Sequence, residues 1–201
     1  MRGRAQHWNG RYATVGARHV SWFAAEPTGS LAMIDVLEIE ASHSVIDIGG
    51  GASTLANHLI ARGVSDLAVL DVSEVALSEA RHRLADSGVE WLCEDVLAWS
   101  PHRRWDVWHD RAVFHFLTAP EDRVRYRELV DQVVEPGGFV VIGTFAEDGP
   151  ESCSGLPVVR YSPEALAEEL GVDRRNVTSR RELHTTPAGT TQSFTWIGYR
   201  K

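Results

Sequence analysis

Between Ser44 and Gly88 the chain alternates two short β-branched runs with two helical patterns: SVIDI, STLANHLIARG, LAVLD and SEVALSEARHRLADSG. Runs this short and this uniformly apolar suit strands covered on both faces, which is the situation of a parallel sheet flanked by helices. Ser53 reads as the cap of the first helix and Gly63 as its stop; Ser73 opens the second and Gly88 closes it. The rhythm continues with VEWLCED and WDVWHD as third and fourth strands, a short apolar turn AVFHFL, an amphipathic helix EDRVRYRELVDQVV and a fifth strand FVVIGTF. Strand–helix alternation at this spacing predicts parallel βαβ units and a doubly wound α/β sheet.

Past Phe145 the stretch AEDGPESCSGLPVVRY reads as a loop, long enough inside a compact domain to act as a lid. The helix SPEALAEEL, a weak strand around RNVTSRREL and a clear one at QSFTWIGYR complete the chain. Residues 1–43 form a separate N-terminal segment, aromatic at first (Trp8, Tyr12, Trp22, Phe23) and then helical in spacing at SLAMIDVLEIE; residues 44–201 hold the sheet. With 201 residues and 43% hydrophobic content, one compact domain is expected.

Composition narrows the partners. A net charge of −8 disfavours nucleic acid, whose phosphates need an electropositive face. No apolar run approaches the length of a membrane span, and MRGRAQHWNGRY lacks the apolar core of a signal peptide, so no membrane partner is expected. Cys93 and Cys153 show no CxxC spacing, which suits a reducing cytoplasm, and the histidines form no ligand grouping, so no metal is expected.

The turn DIGGGAS leaves the first strand with three glycines, and Asp71 ends the second. Glycines there let backbone approach a ligand, and an acid at the next strand tip is placed to accept two ribose hydroxyls. The dinucleotide fingerprint is incomplete, because the sixth position counted from Gly49 is Thr54, and no Walker lysine follows. Asp47, just before the glycines, would repel a pyrophosphate but suits an ammonium group. That chemistry points to S-adenosylmethionine.

DIGGGAS resembles the first motif of class I S-adenosylmethionine-dependent methyltransferases, LAVLDVS the second, CEDV the third, and EPGG the turn before their fifth strand. The resemblance implies a mostly parallel, seven-stranded Rossmann-like sheet with an N-terminal helical lid, and S-adenosyl-L-homocysteine as product. It implies that Asp47, Gly49, Gly50 and Gly51 hold the methionine part and Asp71 the ribose. Val72 would lie on one face of the adenine, with Asp95 and Val96 at its edge. WDVWHDRAVFHFL is similar to a segment of thiopurine and tellurite-type methyltransferases, and the opening HWNGRYATVGARHVSWF to one in thiopurine and some protein-lysine methyltransferases, which makes Trp8, Tyr12 and Trp22 candidate lid residues. Ordinary packing is the other reading of each aromatic.

A thiol acceptor needs little help; a hydroxyl or ammonium acceptor would need a base, for which His115 and Asp110 are the candidates. A packed helix histidine and a structural ion pair at Arg111 are the competing readings. Arg111, Cys153, Arg160 and Tyr161 are the candidate contacts of a small-molecule acceptor. The leading expectation is a small-molecule methyltransferase, monomeric or homodimeric. A protein-lysine methyltransferase, a nicotinamide-dependent oxidoreductase and a non-catalytic module binding the methyl donor are the alternatives.

Overall fold

The computed structural model describes residues 2–85 and 87–201; Met1, and Asp86 within the stretch expected to be the second helix, lie outside it. The elements follow in order: α1 (Arg2–Val15), α2 (Thr28–Val36), β1 (Val45–Ile48), α3 (Leu55–Ala61), β2 (Leu67–Asp71), α4 (Glu74–Arg83) and β3 (Glu90–Cys93). After them come β4 (Trp105–Arg111), a 3₁₀ turn (Phe114–Phe116), α5 (Pro120–Val133) and β5 (Val134–Phe145). The short β6 (Ser152–Cys153) and β7 (Leu156–Pro157), then α6 (Pro163–Glu169), β8 (Val177–Thr185) and β9 (Thr191–Arg200), complete the chain.

Seven strands make one sheet in the order β3-β2-β1-β4-β5-β9-β8. The first five are parallel, while β9 runs antiparallel to both β5 and β8. The doubly wound architecture read from the sequence is therefore the fold. Because β1 pairs with both β2 and β4, the winding reverses there, and a crevice opens above the carboxyl ends of those strands.

Side-chain alternation assigns each strand residue to a face. Val45, Val69 and Val107 pack under α2, α3 and α4 with Leu31, Leu55, Leu59 and Leu77. Ile46, Ile48, Trp108 and Ile142 pack on the other face under α5 and α6 with Tyr126, Val130 and Leu166. The N-terminal segment is accordingly divided: α2 belongs to the sheet's own core, and Met33 packs with Val141 and Trp196.

Three local expectations shift. The first helix is capped at Thr54, with Ser53 Oγ accepting from the Leu55 N–H at 3.1 Å. The second keeps Ser73 as its cap, whose Oγ accepts from the Ala76 N–H, but ends at Arg83. The expected loop after Phe145 contains a ribbon of β6 against β7. Its turn residues Ser154 and Gly155 both have positive φ, the signature of a tight hairpin whose twist matches its strands.

Asp110 is held on the α5 face. It accepts from the N–H groups of Val113 (2.8 Å) and Phe114 (3.1 Å) and from the Tyr126 hydroxyl (2.5 Å), which in turn accepts from Trp108 Nε1 at 2.8 Å. Tyr126→Phe would orphan the buried Trp108 Nε1 and remove one of the three hydrogen bonds to Asp110, so it should cost about 1–3 kcal/mol and lower the unfolding midpoint by about 2–12 °C. Calorimetry of the variant checks this, and its affinity for nucleosides should stay at the wild-type value.

Candidate functional site

The floor of the crevice is the glycine turn. Gly49 has φ +66°, and its N–H reaches the Leu70 carbonyl at 2.6 Å; a Cβ there would lie 2.1 Å from Val113. Gly51 has φ +42°, and its Cβ would lie 2.6 Å from Asp71 Oδ2. Conformation and space both demand glycine at these two positions. Asp71 is buried at the tip of β2, with Oδ1 accepting from the Ser73 N–H at 2.7 Å. Burial, reinforced by the charge of Asp47, pushes its carboxyl up to about 7 despite that hydrogen bond.

The roof is α1, clamped to α4 by Asn9, whose Oδ1 accepts from Ser73 Oγ (2.8 Å) and the Val75 N–H (3.2 Å). Beneath it Trp8 meets Trp22 and Phe116 edge-on at 5.5 and 5.2 Å, and Trp22 Nε1 donates to the Tyr12 hydroxyl at 3.1 Å. Arg4 reaches down to both Asp95 oxygens at 3.3 Å and to Asp122 at 3.1 Å.

Between floor and roof lies a cleft of about 920 Å³ including its open mouth, lined by Trp8, Tyr12, Trp22, Gly49, Asp71, Val72, Asp95, Val96, Arg111 and Cys153 among others. A second hollow at the tips of β1 and β4 shares Tyr12, Trp22, Gly49 and Arg111 with it and adds Asp47 and Gly50. Together they form one continuous concave surface above the tips of β1, β2 and β4. Gly51 lies under Asp71 and lines neither hollow.

Four expected contacts fall outside the cleft wall. Asp110 lines neither hollow, because its carboxylate is held under α5 by the Val113 and Phe114 N–H groups and the Tyr126 hydroxyl. His115 is fully buried under the ribbon, with Nδ1 accepting from the Phe145 N–H at 3.3 Å. Burial and the charge of Arg111 push it down to about 3, so it is neutral and out of reach as a base. Arg160 braces its own loop, donating to the Gly149 carbonyl and to Glu151 at 3.1 Å each. Tyr161 packs on Phe114 in the core at a ring separation of 5.7 Å.

Sequence reasoning also missed residues. Phe116, Phe145 and Phe194 join Cys153 to wall the part of the cleft beneath Trp8 and Trp22. Arg111 stacks on Phe194 (4.7 Å) and donates through Nη1 to the Trp22 carbonyl at 2.9 Å, leaving Nη2 buried without a partner. Phe194 arrives on the clear final strand, and only the sheet order brings it here. Asn9, quoted within the aromatic opening, carried no signal beyond its polarity.

Residues 45–138 match the methyltransferase-domain family. Malonyl-[acyl-carrier protein] O-methyltransferase of Anoxybacillus flavithermus is 28% identical over 82 residues, 40% of this chain, and the chain spans about a third (32%) of that protein. EEF1A lysine methyltransferase 2 of Danio rerio is 26% identical over 157 residues, 70% of this chain and 67% of its own. A solved structure described as the conversion of a disulfide bond into a thioacetal group during echinomycin biosynthesis superimposes with a TM-score of 0.74 at 18% identity, covering 98% of this chain and 92% of its own. Residues 45–138 thus resemble a methyltransferase domain, and the sheet around them has the fold of solved methyltransferases. The residues of the cleft would suit S-adenosylmethionine: Asp71 is an acid at the tip of β2 where a ribose would lie, and Asp47 is a carboxylate beside the glycine turn where an ammonium group would lie.

Asp71, at about 7, and Asp110, held up at about 6 chiefly by burial, keep protons in the folded state that unfolded carboxylates have lost. Carboxyls raised on folding contribute stability that is full below about pH 4 and is lost as pH rises through their folded values. His115, held near 3, works in the opposite sense up to its unfolded value, so the loss is read by difference: relative to wild type, Asp71→Asn should gain stability as pH rises from about 4 to 7. Calorimetry at constant ionic strength reads both; a wild-type slope in the variant would contradict the assignment.

Proposed function

We propose that the whole protein methylates a small molecule that attacks as a soft or anionic nucleophile, a thiolate before others, in the manner of the thiopurine and tellurite-type methyltransferases it resembles. The observation that carries this is the far end of the cleft: Phe116, Phe145, Phe194 and Cys153 line it together with Arg111, whose Nη2 has no partner among the described residues, while His115 and Asp110 are turned elsewhere. The other charged groups of that cleft, Asp71, Glu94, Asp95 and Arg4, gather at the tips of β2 and β3. Without a base at hand, the acceptor must arrive already nucleophilic. A thiol ionises near neutral pH, and a fixed guanidinium favours its anion.

S-adenosylmethionine, when bound, supplies an electrophilic methyl on a cationic sulfur and leaves as S-adenosylhomocysteine. Asp71 takes the ribose hydroxyls, Val72, Asp95 and Val96 meet the adenine, and Asp47 with Gly49 and Gly50 receives the methionine end. The aromatic roof excludes water, and holding two reactants in line is worth about 7–11 kcal/mol without acid or base. On the same fold, the echinomycin neighbour's chemistry is at sulfur. The reading includes a cytoplasmic setting, a monomer or homodimer, and no nucleic-acid partner.

The match to EEF1A lysine methyltransferase 2 favours a second reading, methylation of a protein lysine. Against it stands the want of a base: an ammonium acceptor must give up its proton before it attacks, and His115 and Asp110 are both turned elsewhere.

Mass spectrometry after incubating protein and S-adenosylmethionine with thiols, selenium compounds, phenols and carboxylic acids separates these readings; thiol products are expected. Arg111→Met should lower kcat/KM for an anionic acceptor about 10- to 100-fold, the loss of a hydrogen bond to a charge. Asp71→Ala should weaken S-adenosylhomocysteine binding about tenfold on the same ground. Label from the methyl donor appearing only in a discrete protein band of a lysate would replace the small-molecule reading with the lysine one.

A further inference from the structure

The smaller hollow contains a polar chain that the methyl-donor site does not yet account for. The β1–β4 register sets Asp47 opposite His109, so both side chains emerge on the α2 face. His109 Nδ1 lies 2.7 Å from Asp47 Oδ1, and its Nε2 lies 2.9 Å from Ser30 Oγ on α2. Asp47 is 3% exposed, His109 1% and Ser30 1%, and all three line the hollow. A carboxylate only accepts, so Nδ1 carries the proton and donates to Asp47, while Nε2 accepts the Ser30 hydroxyl proton.

Asp47 Oδ2 is treated differently. It has no hydrogen bond among the described residues, and it sits against the glycine turn, where a Cβ on Gly50 would come within 2.4 Å of it. Asp47 lines the hollow, so this free oxygen is placed to accept from a hydrogen-bond donor that enters it. Three elements thus combine to satisfy one oxygen of Asp47 and to present the other to the hollow.

We infer that His109 is a positioning residue: through Nδ1–H it locks Asp47 so that Oδ2 receives the ammonium of the methyl donor, and Ser30 locks the imidazole in the tautomer that does so. The inference rests on the S-adenosylmethionine reading of the cleft and adds to it how the amino-acid end is selected. The pair of ring nitrogens is saturated by its two neighbours, so His109 itself reaches the ligand only through Asp47. Ligands that carry the amine feel this chain, and ligands that end at the adenosine do not.

Calorimetric titration with S-adenosylhomocysteine and with 5′-methylthioadenosine, which lacks the amino-acid end, tests this on wild type, His109→Leu, His109→Asn and Ser30→Ala. His109→Leu should weaken S-adenosylhomocysteine about tenfold or more, as expected for one charge-assisted hydrogen bond, and leave 5′-methylthioadenosine unchanged. His109→Asn, whose amide can donate to Asp47, should recover most of the loss, and Ser30→Ala should show a smaller loss confined to the amine-bearing ligand. Where His109→Leu does not fold, the Ser30→Ala and His109→Asn titrations decide. Wild-type affinity for S-adenosylhomocysteine in the His109 and Ser30 variants, or equal losses for both ligands, would overturn the positioning role. Wild-type protein that binds neither ligand would overturn the methyl-donor reading itself.

Discussion

The parallel pairing of β1 with β4 decides which polar groups meet the cleft. Asp47 stands opposite His109 and Ile48 opposite Asp110, so one step along the register separates a residue facing α2 from one facing α5. A slip of one position would exchange the two sets and bury the wrong carboxylate. Strands packed on both faces resist that slip, because Val45, Ile46 and Ile48 would each enter a core shaped for another side chain. The site inherits its geometry from this packing rather than from its own loops.

The cleft concentrates electrostatic cost that the rest of the molecule avoids. Asp71 is buried beside the charge of Asp47, and Arg111 keeps a buried nitrogen without a partner while stacked on Phe194. Such groups are expensive in an empty protein and favourable once a ligand of matching charge arrives. By contrast Asp110, equally buried, is satisfied on every side by backbone N–H groups and Tyr126, which marks it as structural. The number of partners around a buried charge distinguishes the two roles better than burial does.

Most of the fold was legible along the chain. Apolar runs of β-branched residues, glycine turns and serine caps each state a local preference, and local preferences here agree with the sheet they build. The glycine turn and the acids Asp47, Asp71 and Asp95 were legible for the same reason, since strand, turn and strand tip are contiguous features. The acceptor end was not. In WDVWHDRAVFHFL both Asp110 and His115 were candidates for a base, yet alternation sends Asp110 under α5 and the turn after β4 buries His115 against Phe145. The ribbon itself hid in a stretch whose turn conformation, at Ser154 and Gly155, has no strong sequence mark.

What the sequence by itself determined is the order of elements, the parallel winding and the acid-bearing tips of the first strands, because those depend on neighbours within a few residues. Only the tertiary structure decided which aromatics close over the cleft, that Arg111 faces it unpaired, and that Ser30 and His109 stand behind Asp47. Those contacts join residues from separate strands and helices, and their distances are set by how the layers pack, a quantity no local pattern contains.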